Sequence, residues 1–260
     1  MTIINSASAS VAAQGLSIST SNVLMDLTPI ITDAGIGEIP ANISDPDHSL
    51  NYTCGSTNVD FSVAFGAQTN INYVGISGHT AATPAQATVQ LYNGATLIDS
   101  VIIKRNHNIM FTFATQAFTN LIVKFITVPQ SFRMTVSYIA AGEHITILTG
   151  EQSGYARNWL NRGITQRTAT TLSVGPISST QKVKPLNGSL SLPNETAAFT
   201  EGAWQTFIDF SYEQPFFIKE VKDKPESSYI CYNPESKIKS HSQNITLNSI
   251  SLKFTAYNGL

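Results

Sequence analysis

Five histidines (His48, His79, His107, His144, His241) and two cysteines (Cys54, Cys231) could supply a base, a nucleophile or a metal ligand. Their spacing makes no HExxH zinc helix, no GxSxG elbow and no glycine-rich phosphate loop. The cysteines lie far apart, with no CxxC pair and no disulfide framework. Cys231 alternates within an aromatic stretch, as a small buried residue does. His79 follows Ile-Ser-Gly in a loop after a strand, where a ring can contact a ligand or simply be solvated. Asp45 and Asp47 flank Pro46 and offer oxygen ligands to calcium, although turn formation is the commoner reason for Asp beside Pro. Trp159 stands between Arg157 and Arg162 in a polar stretch, which suits contact with a sugar or a neighbouring subunit, or a local hydrophobic anchor. Trp204 falls on or beside the apolar face of a helix and is expected in the core. Asp60 is the only acid of its strand, so no acid pair for glycoside hydrolysis can be nominated. The expectation is therefore a protein without catalytic residues, metal or cofactor. Its candidate carbohydrate contacts are His79 and Trp159.

The elements that would position these residues follow from composition. Hydrophobic residues make up 42% of the 260 and charged residues only 12%, while 75 are Ser, Thr or Asn. Such a chain, bearing Val, Ile, Phe and Tyr, reads as all-β with many turns. No apolar run approaches the ~18–20 residues of a membrane helix, and a net charge of −2 argues against a nucleic-acid surface. The first 15 residues contain no Lys or Arg and no long apolar run, so no secretory signal is expected. The sequons at Asn42, Asn51, Asn187, Asn194 and Asn244 are then expected to be unglycosylated.

Charge is unevenly placed. Residues 1–103 carry seven acids and no Lys or Arg; residues 104–260 carry all 15 basic residues against ten acids, a net +5. Opposite-signed regions either favour head-to-tail association of copies or are two solvated surfaces of different sign with no consequence.

Strand signals begin at Val59, where Val59, Phe61, Val63 and Phe65 alternate with polar residues up to Gly66. Ile71 to Ser77 reads as a second strand. Asn93-Gly94, between the apolar runs Ala87–Tyr92 and Leu97–Ile103, is a strong hairpin signal. Further strands at 110–113, 121–126 and 132–139 complete a β-sandwich. Phe199, Ala203, Phe207 and Phe210 predict one helix over 196–211, capped by Thr196 or Asn194 and stopped by Pro215. Closing strands follow at 215–218, 228–232 and 245–254. The expected organisation is an irregular segment 1–57 contributing to the first domain, a jelly roll 58–142, and a β-rich domain 143–260 with one short helix.

The stretch Val59-Asp-Phe-Ser-Val-Ala-Phe-Gly followed by Ile71-Asn-Tyr-Val-Gly-Ile-Ser-Gly-His79 resembles a galactose-binding-like (discoidin-type) jelly roll. Ala87–Tyr92, Asn120–Phe125 and Met134–Gly142 continue the resemblance. The second half is similar to minor tail and distal-tail proteins of tailed bacteriophages, on Ala203-Trp204 and Phe207, Pro215-Phe-Phe-Ile218, Pro225-Glu226, and Tyr229-Ile-Cys-Tyr232. Lys219-Glu220 departs from that pattern, where an aromatic is more usual. The resemblance implies a structural virion protein, made in the host cytoplasm and carried in the tail. It implies a ring of several copies joining tail tube to tip, with tube and tip or hub proteins as partners. It implies no nucleic-acid or membrane partner. An alternative implication is a carbohydrate-binding adhesin that contacts host-surface glycan.

Overall fold

The computed structural model describes residues 15–25, 27–32, 39–47, 50–54, 58–82, 86–126, 134–147, 164–170, 176–183, 186–241, 244–257 and 259. The fold is mainly β, as the composition requires. In chain order the strands are β1 (Leu16–Ser19), β2 (Ile30–Ile31), β3 (Tyr52–Thr53), β4 (Val59–Ser77), β5 (Thr88–Asn93), β6 (Thr96–Ile102), β7 (Ile109–Ile126), β8 (Thr135–Val136), β9 (Tyr138–Gly142) and β10 (His144–Ile147). After them come β11 (Ile164–Thr170), β12 (Pro176–Val183), β13 (Leu186–Thr196), β14 (Phe216–Lys219), β15 (Ser228–His241) and β16 (Asn244–Tyr257).

The first unit is an antiparallel sandwich. One sheet runs β2-β4-β7-β5-β6, with β9 also on β4, and β3 pairs with β8. The sequence predicts two strands broken at Gly66, but β4 is continuous from Val59 to Ser77. Gly66 sits where the β4–β7 register shifts, between Ala64 and Thr69. The bulge absorbs the break without ending the strand. The part of the ladder before it pairs with β2, and the part after it with β9. Phe61, Val63, Val89, Leu91, Val123 and Phe125 pack with Val74, Ile76, Phe111 and Val136 in one core. Gly94 turns β5 into β6 at φ +56°, a conformation that a Cβ disfavours.

The second unit is a six-stranded sheet of order β10-β1-β14-β15-β16-β13. Its membership corrects one expectation. The sequence places the segment 1–57 with the first unit, and β2 and β3 do join it. β1, however, pairs with β10 and β14 of the second sheet. The four residues of β1 are all buried, which an edge position on the sandwich would not give them.

A helix covers one face of this sheet. It runs as α1 (Ala197–Phe199), a π-turn (Thr200–Trp204) and α2 (Gln205–Glu213). Thr196 caps it, its Oγ1 accepting the Phe199 N–H at 3.2 Å. The π-turn inserts one extra residue and shifts the buried set, so the core takes Thr200, Trp204, Phe207 and Ile208, and Ala203 is exposed. Below them the alternation of β16 buries Ile250, Leu252, Phe254 and Ala256, with Leu190 and Leu192 of β13.

The opposite face of the same sheet meets the sandwich. Phe217 and Ile230 pack with Tyr73, Met110, Tyr138 and Ala140 in a third, wholly buried cluster. The approach is close: a Cβ on Gly75 would lie 2.6 Å from the Phe217 ring. Backbone bonds reinforce the junction. The Met110 N–H donates to Pro225 O at 2.9 Å, and the Thr20 N–H to Glu143 O at 2.8 Å.

Candidate functional site

His79 lies two residues past the end of β4 and turns inward. It is 0% exposed, its Nε2 lies 2.6 Å from His107 O, and the Ala81 N–H donates to its Nδ1 at 3.3 Å. These contacts fit a neutral ring that donates from Nε2 and accepts at Nδ1. Burial holds its pKa down to about 4. Both nitrogens are used inside the chain, so the part His79 plays here is structural. Trp159 lies outside the described residues. Trp204 is in the core, its Nε1–H donating to Ser236 Oγ at 3.3 Å. The sequence therefore brings His79 to no site with Trp159 that can be described.

Asp45 and Asp47 make a turn, the Asp47 N–H donating to Asp45 Oδ1 at 2.8 Å. Among the described residues no group of three His, Cys, Asp or Glu is gathered for a metal. Cys54 and Cys231 are both buried and form no disulfide, and burial raises the Cys231 pKa, which disfavours the thiolate a nucleophile needs.

A surface cluster that motif reading misses lies on the outer face of the β2-β4-β7-β5-β6 sheet. Register places Ile30, Ser62, Ile122, Tyr92 and Leu97 in one row across five strands. Ile30 is 68% and Leu97 49% exposed. The next row holds Asp60, Lys124, Gln90 and Ser100. Lys124 Nζ bridges to Asp60 at 2.8 Å and stands 5.3 Å from the centre of the Tyr92 ring. The Tyr92 hydroxyl donates to Gln90 Oε1 at 2.8 Å, and the Ser62 hydroxyl to Asn120 Oδ1 at 3.0 Å. A hydrogen bond from Lys124 to Asp60 raises the lysine pKa. The cluster combines an ion pair of zero net charge with amide and hydroxyl groups beside a partly exposed ring, chemistry that suits a hydroxyl-rich ligand with one apolar face. Only the period-2 pattern of β4, β5 and β7 hints at it, because alternation decides which residues share an outer face.

No family model matches the chain, and no curated protein matches it. Solved structures do. The chain is similar to chitosan-binding module 1 of a chitosanase/glucanase from Paenibacillus sp. IK-5, at 14% identity over 47% of this chain and 99% of that one, with a TM-score of 0.37. It is similar to the lectin binding domain of Lectinolysin in complex with Lewis b, at 11% identity over 48% and 96%, TM-score 0.39. It is similar to a fucose binding module of Streptococcus pneumoniae, at 11% identity over 47% and 94%, TM-score 0.38. Each match covers about half of this chain.

Proposed function

We propose that the chain is a non-enzymatic structural protein of a phage tail tip, similar to distal-tail and minor tail proteins. The helix-backed sheet makes the contacts between copies and with tube and tip proteins, and the sandwich is held out from it. The observation that carries this reading is the junction between the units. The sandwich leaves the second sheet through β1 and returns through β10, which are adjacent antiparallel strands. It is then fixed by the buried cluster around Phe217. A unit tied at two neighbouring points and packed along an apolar face keeps one direction. Fixed direction is what a connector needs. A binding appendage on a flexible linker does not need it.

The test is immunogold labelling of virions with antibody to this chain. Label at the end of the tail is expected, and label elsewhere or none on intact virions overturns the reading.

A second reading, glycan contact by the sandwich, is favoured by the Tyr92 cluster. Its residues are Tyr92, Gln90, Asp60, Lys124, Asn120 and Ser62, with Trp159 as a further candidate. A glycan-array signal lost in Tyr92→Ala and kept in Tyr212→Ala supports it. An unchanged signal in Tyr92→Ala removes that face from the reading.

A further inference from the structure

The second unit carries opposite charge on its two faces. On one, register sets Lys237 opposite Ser251, Lys239 opposite Ser249 and Glu235 opposite Lys253. Ser189 and Ser191 of β13 continue these rows. The alternate residues Ser236, Ile250 and Leu252 point to Trp204 and the helix, so the lysines project from the other side of the sheet. Lys237, Lys239 and Lys253 are exposed, and among the described residues Lys237 and Lys239 make no ion pair. The helix is the other face. From Ala197 to Glu213 it carries Glu201, Asp209 and Glu213 and no Lys or Arg. All three acids are exposed. Asp209 and Glu213 are four residues apart and share one side of α2, with Tyr212 beside them, 64% exposed. That placement works against the helix itself. A helix C-terminus already holds partial negative charge, the two acids repel each other, and the last turn has no basic residue to offset them. An exposed ring beside two carboxylates at a negative helix end is an environment for a cation.

We infer that the lysine face of one copy docks on the Asp209–Glu213 end of the helix of a second copy. The spacings match. Alternate residues of a strand repeat at about 7 Å, and helix residues four apart at about 6 Å, so Lys237 and Lys239 meet Asp209 and Glu213 together. The ammonium groups pair with the carboxylates, while a lysine stem lies on the Tyr212 ring. The serines around the lysines are small enough to let a helix approach the sheet. The two patches lie on opposite faces of one unit, so the contact is heterologous, the kind that propagates from copy to copy. The inference rests on the assembly reading above and names its surfaces.

The test uses the full chain and light scattering after size exclusion. The wild-type mass is expected well above the 28.1 kDa of one chain at about 50 mM salt, falling toward it at about 500 mM. Lys237→Glu with Lys239→Glu, and separately Asp209→Asn with Glu213→Lys, are each expected to elute as one chain at the lower salt. Asparagine at 209 keeps the acceptor that Gln205 Nε2 uses. The helix variant replaces an unfavourable charge at a helix end, so at about 500 mM salt it is expected to melt no lower than the wild type. Mixing the two variants restores complementary surfaces and is expected to restore the larger species, which a merely misfolded variant could not do. A mixture that stays at the mass of one chain overturns the docking. Variants that assemble like the wild type also overturn it and leave the assembly reading standing. A wild type that is one chain at every salt overturns the docking as well, and tail labelling then decides the assembly reading alone.

Discussion

Phe217 and Tyr138 stack with their ring planes 2° apart and centroids 6.2 Å apart, one ring from each unit. Both are fully buried, and the backbone at Gly75 closes over Phe217. Truncating this ring opens a cavity that the two sheets cannot close independently. Phe217→Ala is expected to cost about 3–5 kcal/mol, and Tyr212→Ala, at an exposed helix position, within about 0.5 kcal/mol. Urea unfolding of both variants checks the contrast.

Beside that ring the junction buries a lysine. Lys219 is 2% exposed and its Nζ donates to Thr112 Oγ1 at 2.7 Å. Burial pulls its pKa from 10.5 down to about 8. Between about pH 8 and 10.5 the unfolded chain then holds the proton and the folded chain does not, so stability from this group rises with pH across that window. Lys219→Met is expected to abolish the rise and to be neutral or stabilising at pH 7, because a well-packed apolar chain replaces a desolvated charge. Thermal melts of both proteins from pH 7 to 10.5 read the difference.

Two buried histidines contribute to the loss of stability in acid. Burial holds both His79 and His144 down to about 4, and the Lys219 charge further lowers His144. Their depressed values mean that the neutral rings stabilise the fold fully above about pH 6.5. That contribution is lost as pH falls from 6.5 toward 4. His79→Gln is expected to flatten this part of the pH–stability curve while lowering stability at pH 7, since it empties the bond to His107 O. A curve whose acid limb is unchanged in the variant would assign the limb to other groups.

What could be read in the sequence was local. The Asn93-Gly94 hairpin, the period-2 strands and the position of Trp204 all depend on neighbours in the chain. The continuity of β4 through Gly66 was not legible, because a bulge is decided by the partner strand. β1 went to the other sheet for a similar reason: Leu-Ser-Ile-Ser fits an edge of either unit, and only its pairing with β10 and β14 settles which. His79 looked like a loop histidine because nothing local reveals that His107 O waits for its ring. The Tyr92 cluster draws on three strands, β4, β5 and β7, so no motif could contain it.

The helix gives a final, oppositely signed pair of predictions. Thr196 accepts the Phe199 N–H, so Thr196→Ala should cost about 1 kcal/mol by leaving a terminal donor without that acceptor. Gly202 sits within the π-turn, exposed, and a Cβ there meets nothing within 4 Å. Nothing in the packing requires glycine, and its unfolded chain has more freedom to lose. Gly202→Ala should therefore stabilise by about 0.5–1 kcal/mol, measured by chemical denaturation. A loss instead would mean that the extra residue of the turn, which brings Trp204 into the core, depends on glycine for its backbone geometry and not only for want of a side chain.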